Sequence, residues 1–328
     1  MHILVTGGAG YIGSIAINKL IKDHKVTVFD NFSTGNKLLL HKKANFYQGD
    51  LRTLSEVTTV FEQEKIDAVM HFAAFSQVGE SVKNPQKYFE NNVGGSKNLL
   101  DAMMVFGVKK IIFSSTAAIF GEATEIPIAE EASKEPTNPY GESKLEIEKL
   151  LEKYDKEHDL KYVALRYFNA AGAAEDGSCG EMHDPETHLI PLILKTAKGE
   201  RESIRIFGTD YPTPDGTCVR DYIHVEDLAE AHMLALDFLQ REGNSENFNL
   251  GSQQGYSVRE VIEECKKVTQ KDFLVEEAER RAGDPAILIA SSQKIREKIG
   301  WQAKRSLTEM VRDAWEWERE KYVNYNKF

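Results

Sequence analysis

The first thirty residues constrain this chain more than any other stretch. Met1-His-Ile-Leu-Val-Thr6 is a short aliphatic run that opens directly onto Gly7-Gly-Ala-Gly10-Tyr-Ile-Gly13. The residues that follow space Ile12, Ile15, Ala16, Lys19 and Leu20 for one buried face of a helix. A second apolar run, Val26-Thr-Val-Phe-Asp30, ends on a carboxylate. A strand, a glycine-rich turn, a helix and an acid about twenty residues on make up the dinucleotide-binding arrangement. Gly7, Gly10 and Gly13 allow a tight turn and let backbone N–H groups approach a pyrophosphate at the helix N-terminus, where the dipole favours anions. Asp30 is placed to accept hydrogen bonds from the adenosine ribose. Asn31-Phe32-Ser33 brings no arginine to compensate a 2′-phosphate. The expected cofactor is therefore NAD rather than NADP. A lone glycine motif also describes an ordinary turn, but here strand, helix and acid all accompany it.

At 328 residues the chain has room for one large domain or two modest ones. A net charge of −11 argues against nucleic acid or an anionic membrane as the main partner. Cys179, Cys218 and Cys265 are scattered and read as reduced thiols. No charged leader precedes an apolar signal core, and no stretch is long enough to span a bilayer. A cytoplasmic protein is expected.

Strand and helix patterns alternate through the first half. The third to sixth strands are expected at Ala44–Gln48, Asp67–Phe72, Lys110–Ser114 and Tyr162–Tyr167. Helices are expected over Leu54–Glu64, Pro85–Phe106 and from Asn138-Pro139 to about Lys156. Strands joined through helices imply a doubly wound parallel Rossmann sheet of the α/β class. The regular alternation stops near Ala170. Gly172–Glu186 and Thr209–Thr217 are rich in Gly, Pro, Asp or Glu and read as loops. The expected division is a nucleotide-binding domain over 1–170 and a smaller mixed α/β substrate domain over 171–328. A helix near Val225–Leu239 and a strand at Phe248-Asn-Leu250 are expected to rejoin the first domain, at about 225–250. Asn324-Tyr-Asn-Lys-Phe328 reads as a loose tail.

Chemistry concentrates after the fifth strand. Ser114-Ser115-Thr116 ends it, and Tyr140-Gly-Glu-Ser-Lys144 opens the helix that follows. Residues four apart share one helix face, and of the twelve tyrosines only Tyr140 has lysine four positions later. A tyrosine of ordinary pKa near 10 is a poor base at neutral pH. A neighbouring ammonium and a nicotinium ring are expected to favour the phenolate and lower that pKa. Thr116 adds a hydroxyl to relay or orient the proton. Tyr140, Lys144 and Thr116 are thus the catalytic candidates. Cys179, His183 and His188 lie close in sequence, but their intervals lack a tight zinc pattern, so no metal is expected.

The glycine spacing, G-x-x-G-x-x-G after Thr6, resembles the short-chain dehydrogenase/reductase superfamily. A more specific resemblance runs from residue 1 to beyond Trp301. It rests on the glycine turn, His71-Phe-Ala-Ala74, Val78-Gly-Glu-Ser81, Asn91-Asn92, Tyr140 with Lys144, and Arg166-Tyr-Phe-Asn169. The long run from Ile206 to Val225 and Arg280-Arg-Ala-Gly-Asp284 add the most selective part. Together these segments resemble the UDP-glucose 4-epimerase family, in the extended branch of that superfamily.

The resemblance implies NAD contacts at Tyr11, Ile12, Asp30, Asn31, Gly35, Asp50, Leu51, Phe72, Ala73, Ala74, Asn91 and Phe168, beside Tyr140 and Lys144. It implies UDP-sugar contacts at Thr116, Tyr140, Asn169, His188, Leu189, Arg220, Arg281 and Asp284. Arginines suit a diphosphate because the guanidinium fork matches its oxygens. The implied substrates are UDP-glucose and UDP-galactose, interconverted at C4, and the implied assembly is a homodimer. Ser76 departs from the family, which often has lysine there. Ala117 and Ala118 follow Thr116 where a nucleotide-sugar dehydratase or decarboxylase needs a further acid or base. A non-catalytic NAD-binding sensor would have no reason to keep Tyr140, Lys144 and Thr116 together. The side chain bordering the sugar is expected to be Ile287 or Leu288. Both are aliphatic, so some turnover of UDP-N-acetylhexosamines is expected beside the unacetylated sugars.

Overall fold

The computed structural model describes residues 1–123, 125–281 and 284–320. The C-terminal run expected to be a loose tail lies outside them.

The first elements follow the apolar pattern closely. They are β1 (His2–Thr6), α1 (Tyr11–Leu20), β2 (Lys25–Asp30), β3 (Asn45–Gln48), α2 (Leu54–Gln63) and β4 (Ala68–His71). Every residue of β1 is buried, as a strand covered on both faces requires. Helix α1 buries Ile15, Ala16 and Leu20, while Ile12 and Lys19 are only partly covered.

The helix expected over Pro85–Phe106 is interrupted. Helix α3 (Val78–Lys83) precedes it, then α4 (Pro85–Tyr88) runs into a wide π-helical turn, Phe89–Gly94, and on into α5 (Gly95–Val105). The buried side chain of Asn92 sits in that wide turn. Its Oδ1 accepts from Phe75 N at 2.9 Å, and its Nδ2 donates to Phe75 O and Ser143 Oγ, each at 3.0 Å. Such wide turns are rare and occur mostly as single-turn bulges within helices, and nothing in helical periodicity announces this one.

The chain continues through β5 (Lys110–Thr116), α6 (Pro139–His158), β6 (Lys161–Tyr167), β7 (Asn169–Ala171), α7 (Leu189–Ala197), β8 (Ser203–Phe207) and β9 (Val219–His224). It ends with α8 (Val225–Arg241), β10 (Glu246–Leu250), β11 (Gly255–Ser257), α9 (Val258–Thr269), β12 (Leu274–Ala278), β13 (Ile287–Leu288), α10 (Gln293–Ile299) and α11 (Leu307–Glu320).

The chain divides into two compact units. The first comprises Met1–Glu122, Ser133–Arg166 and Ala229–Phe248. Its seven-stranded sheet has the order β3-β2-β1-β4-β5-β6-β10, with parallel pairing from β3 through β5. Helices flank this Rossmann-like sheet, and one apolar core joins Leu4, Val69, Leu99, Phe113, Ile147 and Leu151. The strand order reverses between β1 and β4, the position where such sheets open a ligand crevice beyond their carboxyl ends.

The second unit comprises Ala123–Ala132, Tyr167–Leu228 and the chain from Asn249 onward. Strand β9 is its axis, pairing with β11, β13 and β7, while β8 and β12 form a separate parallel pair. Its core gathers Ile193, Leu194 and Val261 with Met310 and Val311. The segment Ala123–Ala132 is tied in by Ile128 N, which donates to Ile289 O, and by Glu130 Oε1, which accepts from Asn249 N, each at 2.8 Å.

Candidate active site

In the first unit the glycine turn occupies the switch point. Phe72 N and Ala73 N, just past β4, donate to Thr6 O at 2.9 and 3.1 Å. Gly7 has φ +73, and a Cβ there would fall 2.5 Å from Ala73 N. A Cβ on Gly13 would fall 2.4 Å from Gly7 O. Both positions exclude a side chain, so the turn stays open to close backbone approach. Helix α1 starts at Tyr11 with Gly10 as its cap, no capping side chain and no acid in its first turn. Its N-terminal field is therefore left for an external anion.

Asp30 ends β2 and is buried against that turn. Its Oδ2 accepts from Ala9 N at 3.0 Å and its Oδ1 from Phe32 N at 2.8 Å. Burial raises its pKa, and the two N–H donors partly offset that. Gly35 lies beside it, since a Cβ there would come within 3.0 Å of Asp30 Oδ1. Asn31 Nδ2 donates to Asp50 Oδ2 at 3.0 Å, and Arg52 holds Asp50 down at about 2. Leu51 is buried, and Ala74 and Asn91 are partly covered. Asn91 Nδ2 donates to Asn92 Oδ1 at 3.0 Å. Ser76 is exposed.

The acid–base residues come from β5 and α6. Pro139 occupies the first turn of α6, and Asn138 Oδ1 caps it by accepting from Gly141 N at 2.9 Å. A Cβ on Gly141 would lie 2.5 Å from Ala118 O, so the first helical turn is pressed against the end of β5. That contact sets Tyr140 near Thr116, whose hydroxyl favours the phenolate. Thr116 Oγ1 accepts from Ala118 N at 3.1 Å, which leaves its own proton available to donate.

Lys144 is buried; its Nζ donates to Ser114 O at 2.8 Å and lies 4.8 Å from the centroid of the Phe113 ring. The lowering of the Tyr140 pKa is expected from Lys144 and a nicotinium ring together; in the protein alone the phenol is raised. Burial raises Tyr140, and the Thr116 hydroxyl offsets only part of this. Burial also lowers Lys144 to about 7, against the pull of Glu148.

Glu148 is a residue that motif reading passed over. It stands one turn beyond Lys144 on α6 and is buried with Arg166. Arg166 Nε and Nη2 donate to its two oxygens at 2.9 and 2.7 Å, and Ser115 Oγ donates at 2.6 Å. The i+4 spacing from Lys144 was the available signal.

The second unit holds the remaining candidates. Asn169 pairs with Tyr222 across β7 and β9, and its Nδ2 donates to Asp221 O at 3.0 Å. Arg220 lies on β9, its Nη2 3.6 Å from Asp284 Oδ1. The Arg281 guanidinium stacks 3.9 Å from the centroid of the Phe207 ring. Phe168 and Leu189 are partly covered.

His188 caps α7, and its Nδ1 is 2.6 Å from Glu181 Oε1 and 3.1 Å from Glu186 Oε1. Burial opposes its charge, but those carboxylates outweigh it and raise its pKa. Ile287 and Leu288 form β13, in parallel register with Val219 and Arg220.

The NAD dependent epimerase/dehydratase family model matches residues 3–251. A UDP-glucose 4-epimerase of Lacticaseibacillus casei is 51% identical over 319 residues, 97% of this chain and 96% of the relative. A crystal structure of a UDP-glucose 4-epimerase superposes with TM-score 0.96 at 51% identity, covering 98% of each chain. A UDP-Glc/GlcNAc 4-epimerase of Campylobacter jejuni superposes with TM-score 0.86 at 44% identity, covering 97% of this chain and 99% of its own. With a Rossmann sheet, a glycine turn at its switch point and a tyrosine–lysine pair at the end of β5, the chain belongs to the NAD dependent epimerase/dehydratase family.

Proposed function

We infer that the chain interconverts UDP-glucose and UDP-galactose by NAD-dependent epimerisation at C4 of the sugar. The observation that carries this is the seating of Tyr140 and Lys144 in the first turns of α6 against the end of β5, with Lys144 Nζ donating to Ser114 O at 2.8 Å and Thr116 ending that strand. Tyr140 takes the proton of the C4 hydroxyl as the C4 hydride leaves, Thr116 aligns that transfer, and a 4-keto sugar results. The sugar turns about its diphosphate tether. Tyr140 then returns the proton as the hydride comes back to the opposite face. When bound, NAD supplies reversible hydride acceptance and a positive ring beside the phenol.

The open glycine turn and Asp30 fit that cofactor. Gly7, Gly10, Gly13 and the start of α1 are assigned to its pyrophosphate, and Asp30 to the adenosine ribose. Lys144 is assigned to the nicotinamide ribose. Asn169, His188, Arg220, Arg281 and Asp284 are assigned to the UDP moiety, where energy from the non-reacting part of the substrate holds the ketone in place. The L. casei relative's name supports UDP-glucose as a substrate.

Three results are expected. Cofactor-stripped protein titrated with NAD and NADP should prefer NAD clearly, because a 2′-phosphate would meet the Asp30 carboxylate. Equal binding of the two would remove Asp30 from that role. Protein incubated with UDP-galactose and no added cofactor should form UDP-glucose, whereas dehydration or simple binding would overturn the reading. In the same assay UDP-N-acetylglucosamine should turn over more slowly than UDP-glucose, and Ile287→Tyr should suppress it selectively. A rigid wall is what excludes an extra N-acetyl group, and the aliphatic Ile287 and Leu288 do not build one. An unchanged ratio in the variant would show that residue 287 does not border the sugar.

A further inference from the structure

The loop ahead of α7 gathers a set of ligand atoms of which the proposed function uses only that of His188. Cys179, weighed as a ligand from sequence, is buried and stands outside this set. In its place the fold brings two glutamates to two histidines. One ligand atom each from Glu181, His183, Glu186 and His188 lies within 4.8 Å of all the others.

Glu181 Oε1 is 2.8 Å from His183 Nδ1 and 2.6 Å from His188 Nδ1, while Glu186 Oε1 is 3.1 Å from His188 Nδ1. The two imidazole rings lie 5.3 Å apart, centroid to centroid. The set is held from behind. Trp317 Nε1 donates to Glu181 O at 3.0 Å, and Thr187 N and His188 N donate to Glu186 Oε1 at 2.7 and 2.8 Å.

We propose that Glu181, His183, Glu186 and His188 form a binding site for one divalent transition-metal ion, zinc being the best chemical match. Two imidazole nitrogens select transition metals over magnesium and calcium, and carboxylates complete such sets in zinc enzymes. Metal–ligand bonds of about 2.0–2.2 Å set ligand atoms a little over 3 Å apart, a spacing the set reaches by small side-chain shifts. Two carboxylates balance the charge of the ion, so occupancy leaves no net charge on the set. Glu181 offers its oxygen from a buried position, and His183 and His188 approach it from the more open side.

The alternative is a plain ion-pair network in which His183 and His188 do nothing but neutralise the glutamates. Because His188 is also assigned above to the UDP moiety, metal and sugar nucleotide should compete for it. That clause alone rests on the proposed function, and metal binding measured without sugar nucleotide is independent of it.

The experiment titrates the full-length protein with Co²⁺, followed by its visible d–d bands, and with Zn²⁺ by displacement. One equivalent per chain is expected, at micromolar affinity or tighter, with no thiolate charge-transfer band. His183→Ala and Glu181→Gln should each weaken binding at least as much as the roughly 10–100-fold that outer-shell partners are worth. Cys179→Ser should bind as wild type does. Circular dichroism checks each fold, and if Glu181→Gln does not fold, the less buried His183→Ala decides the matter. Absence of stoichiometric binding, or binding that His183→Ala leaves unchanged, would overturn the site.

Discussion

Replacing Tyr140 by phenylalanine is expected to lower turnover of UDP-galactose on the order of 10²–10⁴-fold, the range a positioned acid–base group supplies. The ring keeps its packing, and only the hydroxyl, which lies near Thr116, is lost. Stability should therefore change by no more than about 1 kcal/mol, the net worth of one hydrogen bond. Retained cofactor, measured by absorbance and mass, should match wild type. The wild-type rate should fall as pH drops and the phenolate is protonated, and the residual rate of the variant should lack that limb. Burial raises this phenol in the protein alone, so the limb reports how far bound NAD brings it down. Near-wild-type turnover in the variant would remove Tyr140 from the acid–base role.

Arg166→Met is expected to cost about 3–5 kcal/mol, because it leaves a buried carboxylate without its partner. The side chains of Arg166 and Glu148 are only 1% and 3% exposed, so solvent cannot take over. Ser115 would remain as a neutral donor to Glu148, too little to replace a two-pronged guanidinium. Adding Glu148→Leu should recover most of the loss, since a buried pair replaced by apolar groups of similar volume is often near neutral. Thermal unfolding at fixed cofactor concentration gives the comparison, as bound ligand otherwise shifts the midpoint. A single variant as stable as wild type would mean that the pair is not load-sharing; a double variant no better than the single would mean that packing, not charge, carries the cost.

Local pattern alone determined much of this protein. Aliphatic runs broken by Gly7, Gly10 and Gly13, then Asp30, specify strand, turn, helix and acid within one short stretch, where periodicity and glycine sterics suffice. Tyr140 and Lys144 were legible for the same reason, since four positions along a helix always share a face. Tertiary structure decided what depends on partners far apart in sequence.

Tyr140 comes near Thr116 because Gly141 packs on Ala118, and the Lys144 ammonium is held by Ser114 O, thirty residues away in sequence. Asn92 turns inward to Phe75 and widens a helix that periodicity draws as regular. Arg220 meets Asp284, and Ala123–Ala132 joins the second unit, through contacts that no spacing rule encodes. Cys179, the cysteine weighed as a ligand, stayed outside the cluster that Glu181 and Glu186 complete. Burial is the common cause: it raises the Tyr140 pKa and lowers that of Lys144. Which groups lose their water is a property of the packed chain rather than of its pattern.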